Sequence, residues 1–166
     1  ITMGHECVGE IAEVGSAVCE YNVGERVVVE AIVYCGRCDA CMQGNTHLCQ
    51  QFEVRGMKRD GVFTEQLAVH PKYVHKIPDS LSDEEACLVE PLAVAVHAVV
   101  DNCSVKPGDL VLISGPGPIG MLTAYLVRMI GATAIVSGIT SDEEVRLPLL
   151  RRRGFYTVNN EKENMT

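Results

Sequence analysis

A β-rich segment followed by an α/β fold is what this sequence predicts, on three observations. Up to residue 78 the chain holds short Val- and Ile-rich runs bounded by Gly and Pro, the pattern of strands and turns. The second half opens on a continuous apolar run, Leu110-Val-Leu-Ile-Ser114, as expected of a strand buried on both faces of a parallel sheet. A glycine-rich turn and an apolar helical stretch follow at once, and the strand–helix alternation then repeats. The predicted boundary puts a β-rich domain at residues 1–86 and an α/β domain at residues 87–166.

In the first part, residues 7–14 and 26–32 read as strands, with Asn22-Val-Gly-Glu25 as the turn before the second. Residues 61–70 and 73–77 read as two more, separated by Pro71 and stopped by Pro78. Ser82, followed by Asp83-Glu-Glu85, supplies an N-cap and early acids for a helix running through Pro91 to about residue 100. In the second part the spacing predicts helix over 119–130, ended by Gly131, then strand over 133–137. Helix follows over 142–153 and strand over 155–158. Pro148 falls inside that last helix and should bend or break it. The order β-α-β-α-β is half of a doubly wound nucleotide-binding domain.

Composition narrows the function classes. A net charge of -8 and a pI near 5.1 disfavour a phosphate-binding face and therefore nucleic acid as a partner. No uncharged apolar run approaches the roughly 18 residues of a membrane span. The chain opens on Ile-Thr-Met-Gly-His-Glu without a secretory leader, which favours a cytoplasmic setting. Both ends look cut, so the expectation is a piece of a longer protein.

Cys35, Cys38, Cys41 and Cys49 form a Cys-x2-Cys-x2-Cys-x7-Cys run. Four soft thiolates this close can complete a tetrahedral Zn²⁺ shell with no position left for water, a structural rather than a catalytic site. A pair of disulfides is the competing arrangement, disfavoured where cytosolic thiols stay reduced. A zinc module for nucleic acid is another, disfavoured by the acidic charge. Cys7, Cys19, Cys87 and Cys103 lie outside the run and read as reduced, small apolar residues. His47 is surplus to the four thiols.

Gly115-x-Gly117-x-x-Gly120 directly follows a predicted strand and opens a predicted helix through Pro118 and Ile119. In that context the first glycine permits the tight turn, the second lets the backbone approach a pyrophosphate, and the third lets helix and strand pack closely. The helix N-terminus then offers free N–H groups and its positive dipole end to the phosphates. This half-domain is therefore read as Rossmann type. At the end of the second strand, where NAD-binding versions usually carry an acid for the ribose hydroxyls, this chain has Gly138. Thr140 and Ser141 offer hydroxyl donors nearby, while Asp142-Glu-Glu144 would repel a phosphate if it faced the site. The balance leans to NADP over NAD.

Two further constellations remain. Gly4-His5-Glu6 places an imidazole and a carboxylate side by side, and both reach one metal only where the chain leaves regular strand geometry. Glu90, inside the apolar stretch Ala86-Cys-Leu-Val-Glu-Pro-Leu-Ala-Val-Ala-Val96, is an acid of the kind seldom buried unless paired or metal-bound. An acid stabilised by a helix N-terminus is the plainer alternative, and Cys87 is a competing soft ligand.

Taken in order, these motifs resemble the zinc-dependent medium-chain alcohol dehydrogenases, most closely their sorbitol (polyol) dehydrogenase-like branch. Gly4-His-Glu-Cys-Val-Gly-Glu-Ile-Ala-Glu-Val-Gly15 resembles the family's zinc signature and Gly24-Glu-Arg-Val-Val-Val29 the strand after it. The four-cysteine run is similar to its structural zinc lobe, and residues 106–120 to its cofactor loop. Glu90-Pro-Leu92 points to the polyol branch. The resemblance implies a GroES-like domain short of its N-terminal part, then the first half of a Rossmann domain. It implies a catalytic zinc at His5, Glu6 and Glu90 together with a Cys outside this chain, and zinc-assisted hydride transfer between an alcohol and NAD(P). It further implies a homo-oligomer acting on a small-molecule alcohol or polyol, and an isolated chain that is inactive. A threonine- or glucose-dehydrogenase-like enzyme and a non-catalytic zinc-stabilised module stay open as alternatives.

Overall fold

The computed structural model describes residues 1–162 in two compact units, Ile1–Glu90 and a second that begins at Pro91. In the first unit, β1 (Val8–Glu10), β2 (Arg26–Val29) and β5 (Val74–Lys76) form an antiparallel sheet with β2 at its centre. Val28 pairs with Val8 on one side and His75 on the other, and Val27 and Val28 are both buried. A second sheet of two short strands, β3 (Ile32–Val33) and β4 (Glu53–Val54), closes the base of the cysteine segment. Within that segment lie α1 (Asp39–Met42) and a 3₁₀ turn at Thr46–Leu48, neither of them predicted.

The expected strand over 61–70 is absent. The amides of Gly61, Val62 and Phe63 donate instead to the carbonyls of Thr2 (2.7 Å), Gly4 (3.0 Å) and Met3 (3.0 Å), an irregular segment that offers no ladder to extend. The strand expected over 7–14 keeps only three residues, and the one expected over 26–32 stops at Val29.

The single helix expected from Ser82 to about residue 100 is three pieces: α2 (Asp83–Ala86), α3 (Val89–Val96) and a π-helical turn over His97–Asn102. The start is the predicted one, a reciprocal capping box. The Ser82 hydroxyl accepts from the Glu85 amide (3.2 Å) and the Glu85 carboxylate from the Ser82 amide (3.0 Å). The break before Val89 leaves Pro91 in the first turn of α3, where a missing N–H costs nothing.

The second unit carries β6 (Leu110–Ser114), β7 (Thr133–Gly138) and β8 (Tyr156–Asn159) as a parallel sheet in that order. Helix α4 (Pro118–Ile130) joins β6 to β7, and a 3₁₀ turn (Thr140–Glu144) with α5 (Arg146–Arg152) joins β7 to β8. Ile113, Ala124, Val127, Val136, Leu150 and Phe155 form the core, and Tyr125 meets Phe155 edge to face at 4.9 Å. Gly131 ends α4 in the left-handed conformation (φ 91°). Pro148 does not kink a long helix, because α5 restarts at Arg146 and holds Pro148 in its first turn. Strand β6 is buried on one face only. Leu110 and Leu112 are exposed, as is Tyr156 in the row Leu112–Ile135–Tyr156, since the described residues place no cover over that face.

Candidate active site and metal centres

In the first unit the backbone before β1 makes a turn at Gly4 (φ 90°), cradled by two glycines. A Cβ on Gly56 would lie 2.7 Å from the Gly4 carbonyl oxygen, and one on Gly61 2.2 Å from it. This close approach takes His5 and Glu6 out of strand geometry, so adjacent side chains need not diverge. The structure brings one ligand atom each of His5, Glu6 and Glu90 within 4.8 Å of one another. Cys87 does not belong to this group. His5 and Glu90 are half-buried and Glu6 is exposed. Burial raises the Glu90 carboxyl above its ordinary value against an opposing pull from His5, and the Glu6 carboxylate adds a smaller push upward. A half-buried acid held up in this way, with imidazole and a second carboxylate beside it, is a donor set suited to zinc, and a bound cation would relieve the strain on Glu90.

The cysteine lobe is the second cluster. The sulfurs of Cys35, Cys38, Cys41 and Cys49 all lie within 4.8 Å of one another. Sulfur separations of 3.5 Å (Cys38–Cys41) and 4.0 Å (Cys35–Cys41) match the edge of about 3.8 Å expected of a tetrahedron with Zn–S near 2.3 Å. No pair is joined as a disulfide. Backbone amides already point at the sulfurs: Cys35 and Gln51 donate to Cys49 Sγ at 3.3 Å, and Arg37 to Cys35 Sγ at 3.5 Å. Donation from the Cys41 and Gln50 amides holds the Cys38 thiol down at about 6, while burial and the neighbouring Cys38 sulfur push Cys41 up to about 12. Without a cation only part of this cluster can ionise. His47 is exposed and stands outside it.

In the second unit the glycine turn lies between β6 and α4. Gly115 takes φ 98°, a region open to glycine, and its amide donates to the Ser137 carbonyl (2.9 Å). A Cβ on Gly120 would stand 2.0 Å from the Gly115 carbonyl oxygen, so the helix could not pack this close with any side chain there. A Cβ on Gly117 would meet nothing within 4 Å, which leaves the backbone open to an incoming ligand. Gly117 is the N-cap of α4, Pro118 follows, and no side chain caps the amides behind it. A cradle of uncapped amides at the start of a 13-residue helix fits a pyrophosphate.

At the end of β7, Gly138 is buried, and Thr140 and Ser141 are exposed. Asp142 is buried with an oxygen 3.0 Å from where a Gly138 Cβ would stand, accepts from the Ile139 amide (3.1 Å) and pairs with Arg146 (3.3 Å). Glu143 is clasped by Arg151 through two bonds of 2.7 and 2.9 Å. The Glu161 carboxylate accepts from the Thr140 amide at 2.9 Å, an acid that sequence reasoning missed because it arrives from beyond β8.

Other partners also emerge only in three dimensions. His75 lies 3.7 Å from Glu30, His97 2.9 Å from Asp101, and His70 Nδ1 accepts from the Lys72 amide. Lys72 reaches the cysteine lobe across Tyr34 and Tyr73, for which no local pattern gives a sign.

Comparison with known proteins places these sites in context. Residues 1–79 match the alcohol dehydrogenase GroES-like domain family. A sorbitol dehydrogenase from Bacillus subtilis (strain 168) is 40% identical over 162 residues, 97% of this chain and 45% of that protein. An L-threonine 3-dehydrogenase from Yersinia enterocolitica is 40% identical over 166 residues, 99% of this chain and 48% of that protein. Among solved structures, galactitol-1-phosphate dehydrogenase from Escherichia coli matches with a TM-score of 0.90 at 30% identity, over 99% of this chain and 47% of that one. The chain spans about half the length of the curated relatives it matches.

Proposed function

We propose, since this chain belongs to the zinc-dependent medium-chain alcohol dehydrogenase family, that it is part of an oxidoreductase acting on the CH–OH group of a polyol or related secondary alcohol with NAD(P). The observation that carries the proposal is the cluster of His5, Glu6 and Glu90 on an irregular turn, in a chain that also carries the glycine cradle. Bound zinc would polarise an alcohol oxygen, and a nicotinamide would exchange hydride with the adjacent carbon. His5 and Glu90 serve as ligands, with Glu6 as a further ligand or as the group that orients them. The Gly117 backbone and the amides at the start of α4 bind the pyrophosphate and so orient the dinucleotide. A second zinc, held by Cys35, Cys38, Cys41 and Cys49, stabilises the fold. A homo-oligomer in a cytoplasmic, thiol-reducing setting belongs to the same proposal.

Glu90-Pro-Leu92 favours a polyol as substrate, and the threonine dehydrogenase match supports an amino alcohol as the second choice. The preference between cofactors leans to NADP. Gly138 brings no acid of its own, and Arg146 and Arg151 engage Asp142 and Glu143. Glu161 is the charge that opposes a 2′-phosphate at Thr140, so Glu161→Gln should tighten NADP binding relative to NAD. By itself the chain offers three candidate ligands and three strands of the nucleotide sheet, and little or no turnover is expected from it alone. The test is an assay of the full-length zinc-loaded protein with polyols, sugars and amino alcohols and with both cofactors. Turnover of a polyol supports the proposal, and no turnover of any of them counts against the enzyme.

A further inference from the structure

Lys72 is exposed and stands over the cysteine lobe against two aromatic rings. Its ammonium donates to the Tyr34 carbonyl at 3.3 Å and lies 4.5 Å from the Tyr34 ring centre and 4.6 Å from that of Tyr73. The pair of rings is itself braced. The Tyr34 and Tyr73 rings meet edge to face at 5.3 Å, the Tyr73 hydroxyl donates to the same Tyr34 carbonyl at 2.9 Å, and Tyr73 is buried. The His70 ring accepts from the Lys72 amide at 3.2 Å and sets the backbone from which the side chain departs.

The placement of the charge is specific. The Lys72 nitrogen lies 3.9 Å from where a side chain on Gly36 would begin, within van der Waals range of that turn. Tyr34 precedes Cys35, and the Gly36 amide points at the Cys41 sulfur. The ammonium thus sits directly over the backbone that wraps the thiols. Among the described residues Lys72 forms no ion pair with a carboxylate, and the nearby Glu30 turns to His75 at 3.7 Å. Besides Glu30, whose ionised form the Lys72 charge favours, the negative charge that acts on Lys72 from the lobe is that of the Cys41 thiol. Four thiolates around one divalent zinc carry a net charge of -2, since four negative charges meet two positive ones.

We propose that Lys72 is the counter-cation of the cysteine lobe, offsetting part of the tetrathiolate charge and so slowing both loss of the metal and attack by its sulfurs on electrophiles. The inference rests on the assignment of a structural zinc to Cys35, Cys38, Cys41 and Cys49. Its action is electrostatic and therefore screened by salt, which a packing role is not.

The experiment follows zinc release to a colorimetric chelator, and alkylation of the zinc-bound thiols by iodoacetamide, in the zinc-loaded wild-type protein and in the Lys72→Met and Lys72→Arg variants. At low ionic strength Lys72→Met should release zinc on the order of fivefold faster than wild type and be alkylated faster. The gap should close near 1 M salt, where the screening length falls to about 3 Å. Lys72→Arg should stay close to wild type, because a guanidinium keeps the charge and stacks on the same rings. Wild type alone should release zinc faster as salt rises, which tests the idea even if Lys72→Met fails to fold. Equal rates for Lys72→Met and wild type, or a loss that is insensitive to salt and not rescued by arginine, would overturn the inference while the zinc assignment stands. Reduced wild-type protein purified without chelator and lacking zinc in the lobe would overturn the assignment itself, and the inference with it.

Discussion

Gly117 and Gly120 share one turn but answer to different constraints, and their substitutions should separate. Alanine at 120 puts a methyl 2.0 Å from the Gly115 carbonyl oxygen, so strand and helix must part. Gly120→Ala should cost about 3 kcal/mol in urea unfolding and abolish dinucleotide binding. Gly117 has an ordinary φ of -73° and open space around it. Gly117→Ala should stay within about 0.5 kcal/mol of wild type while dinucleotide affinity, read by calorimetry, falls at least about tenfold. Equal damage from both would show that the open space at Gly117 is not a ligand's place. Glu90 makes a second prediction at this scale. Burial raises its carboxyl above the ordinary 4.5, so in metal-free protein the folded state binds the proton more tightly than the unfolded state. Stability is therefore lost as pH rises from 4.5 through the raised value. Glu90→Gln removes that penalty and should raise the melting temperature of the metal-free protein by about 2 °C at neutral pH, a small effect because the group is only half-buried. With zinc added the order should reverse, since the variant lacks a charged ligand.

Among the elements, Pro91 and Pro148 each fall in the first turn of a helix that starts later than hydrophobic spacing suggests. Continuing the upstream helical piece would have put a ring against a carbonyl one turn back, so the chain breaks before Val89 and again before Arg146. The second break is held by Glu143, in the 3₁₀ turn, and Arg151, near the end of α5, with Asn159 of β8 adding a weaker bond at 3.4 Å. The Arg151 guanidinium pulls the Glu143 carboxyl from 4.5 down to about 2. A carboxyl lowered in the folded state contributes stability that is present above 4.5 and lost as pH falls to about 2. Glu143→Gln should therefore unfold more readily than wild type in urea at pH 7 and match it near pH 2. A difference that persists at pH 2 would mean that the carboxylate charge is not what holds the turn.

For the molecule as a whole, two compact units with different staples should lose structure in two steps. The first unit has short strands, two small sheets and a metal lobe, so much of its stability comes from zinc. Chelation combined with mild acid protonates the thiols and should lower its calorimetric transition. The second unit, with a continuous core and no metal cluster among the described residues, should keep its transition within a few degrees. A single transition that shifts as one would count against separate stapling.

Contacts confined to one turn or loop are legible in the chain. The cysteine spacing, the glycine turn directly after an apolar strand and the Ser82 capping box each act within one turn or loop, so residue type and spacing carry them almost entirely. The strand order β6-β7-β8 is also legible, because alternating apolar runs and helical stretches restrict the possible connections. Contacts that close long loops are a different matter. Residues 61–70 have strand-like composition, but three of their amides are claimed by Thr2, Met3 and Gly4, and no run of valines reveals that. Glu90 joins His5 and Glu6, Lys72 joins the cysteine lobe and Glu161 joins Thr140 only once the chain has folded. Whether β6 is buried on one face or two is decided by the elements around it, not by its apolar run. Side-chain chemistry and local backbone freedom are written in the chain; burial and charge pairing depend on which distant groups arrive, and the folded packing alone decides that.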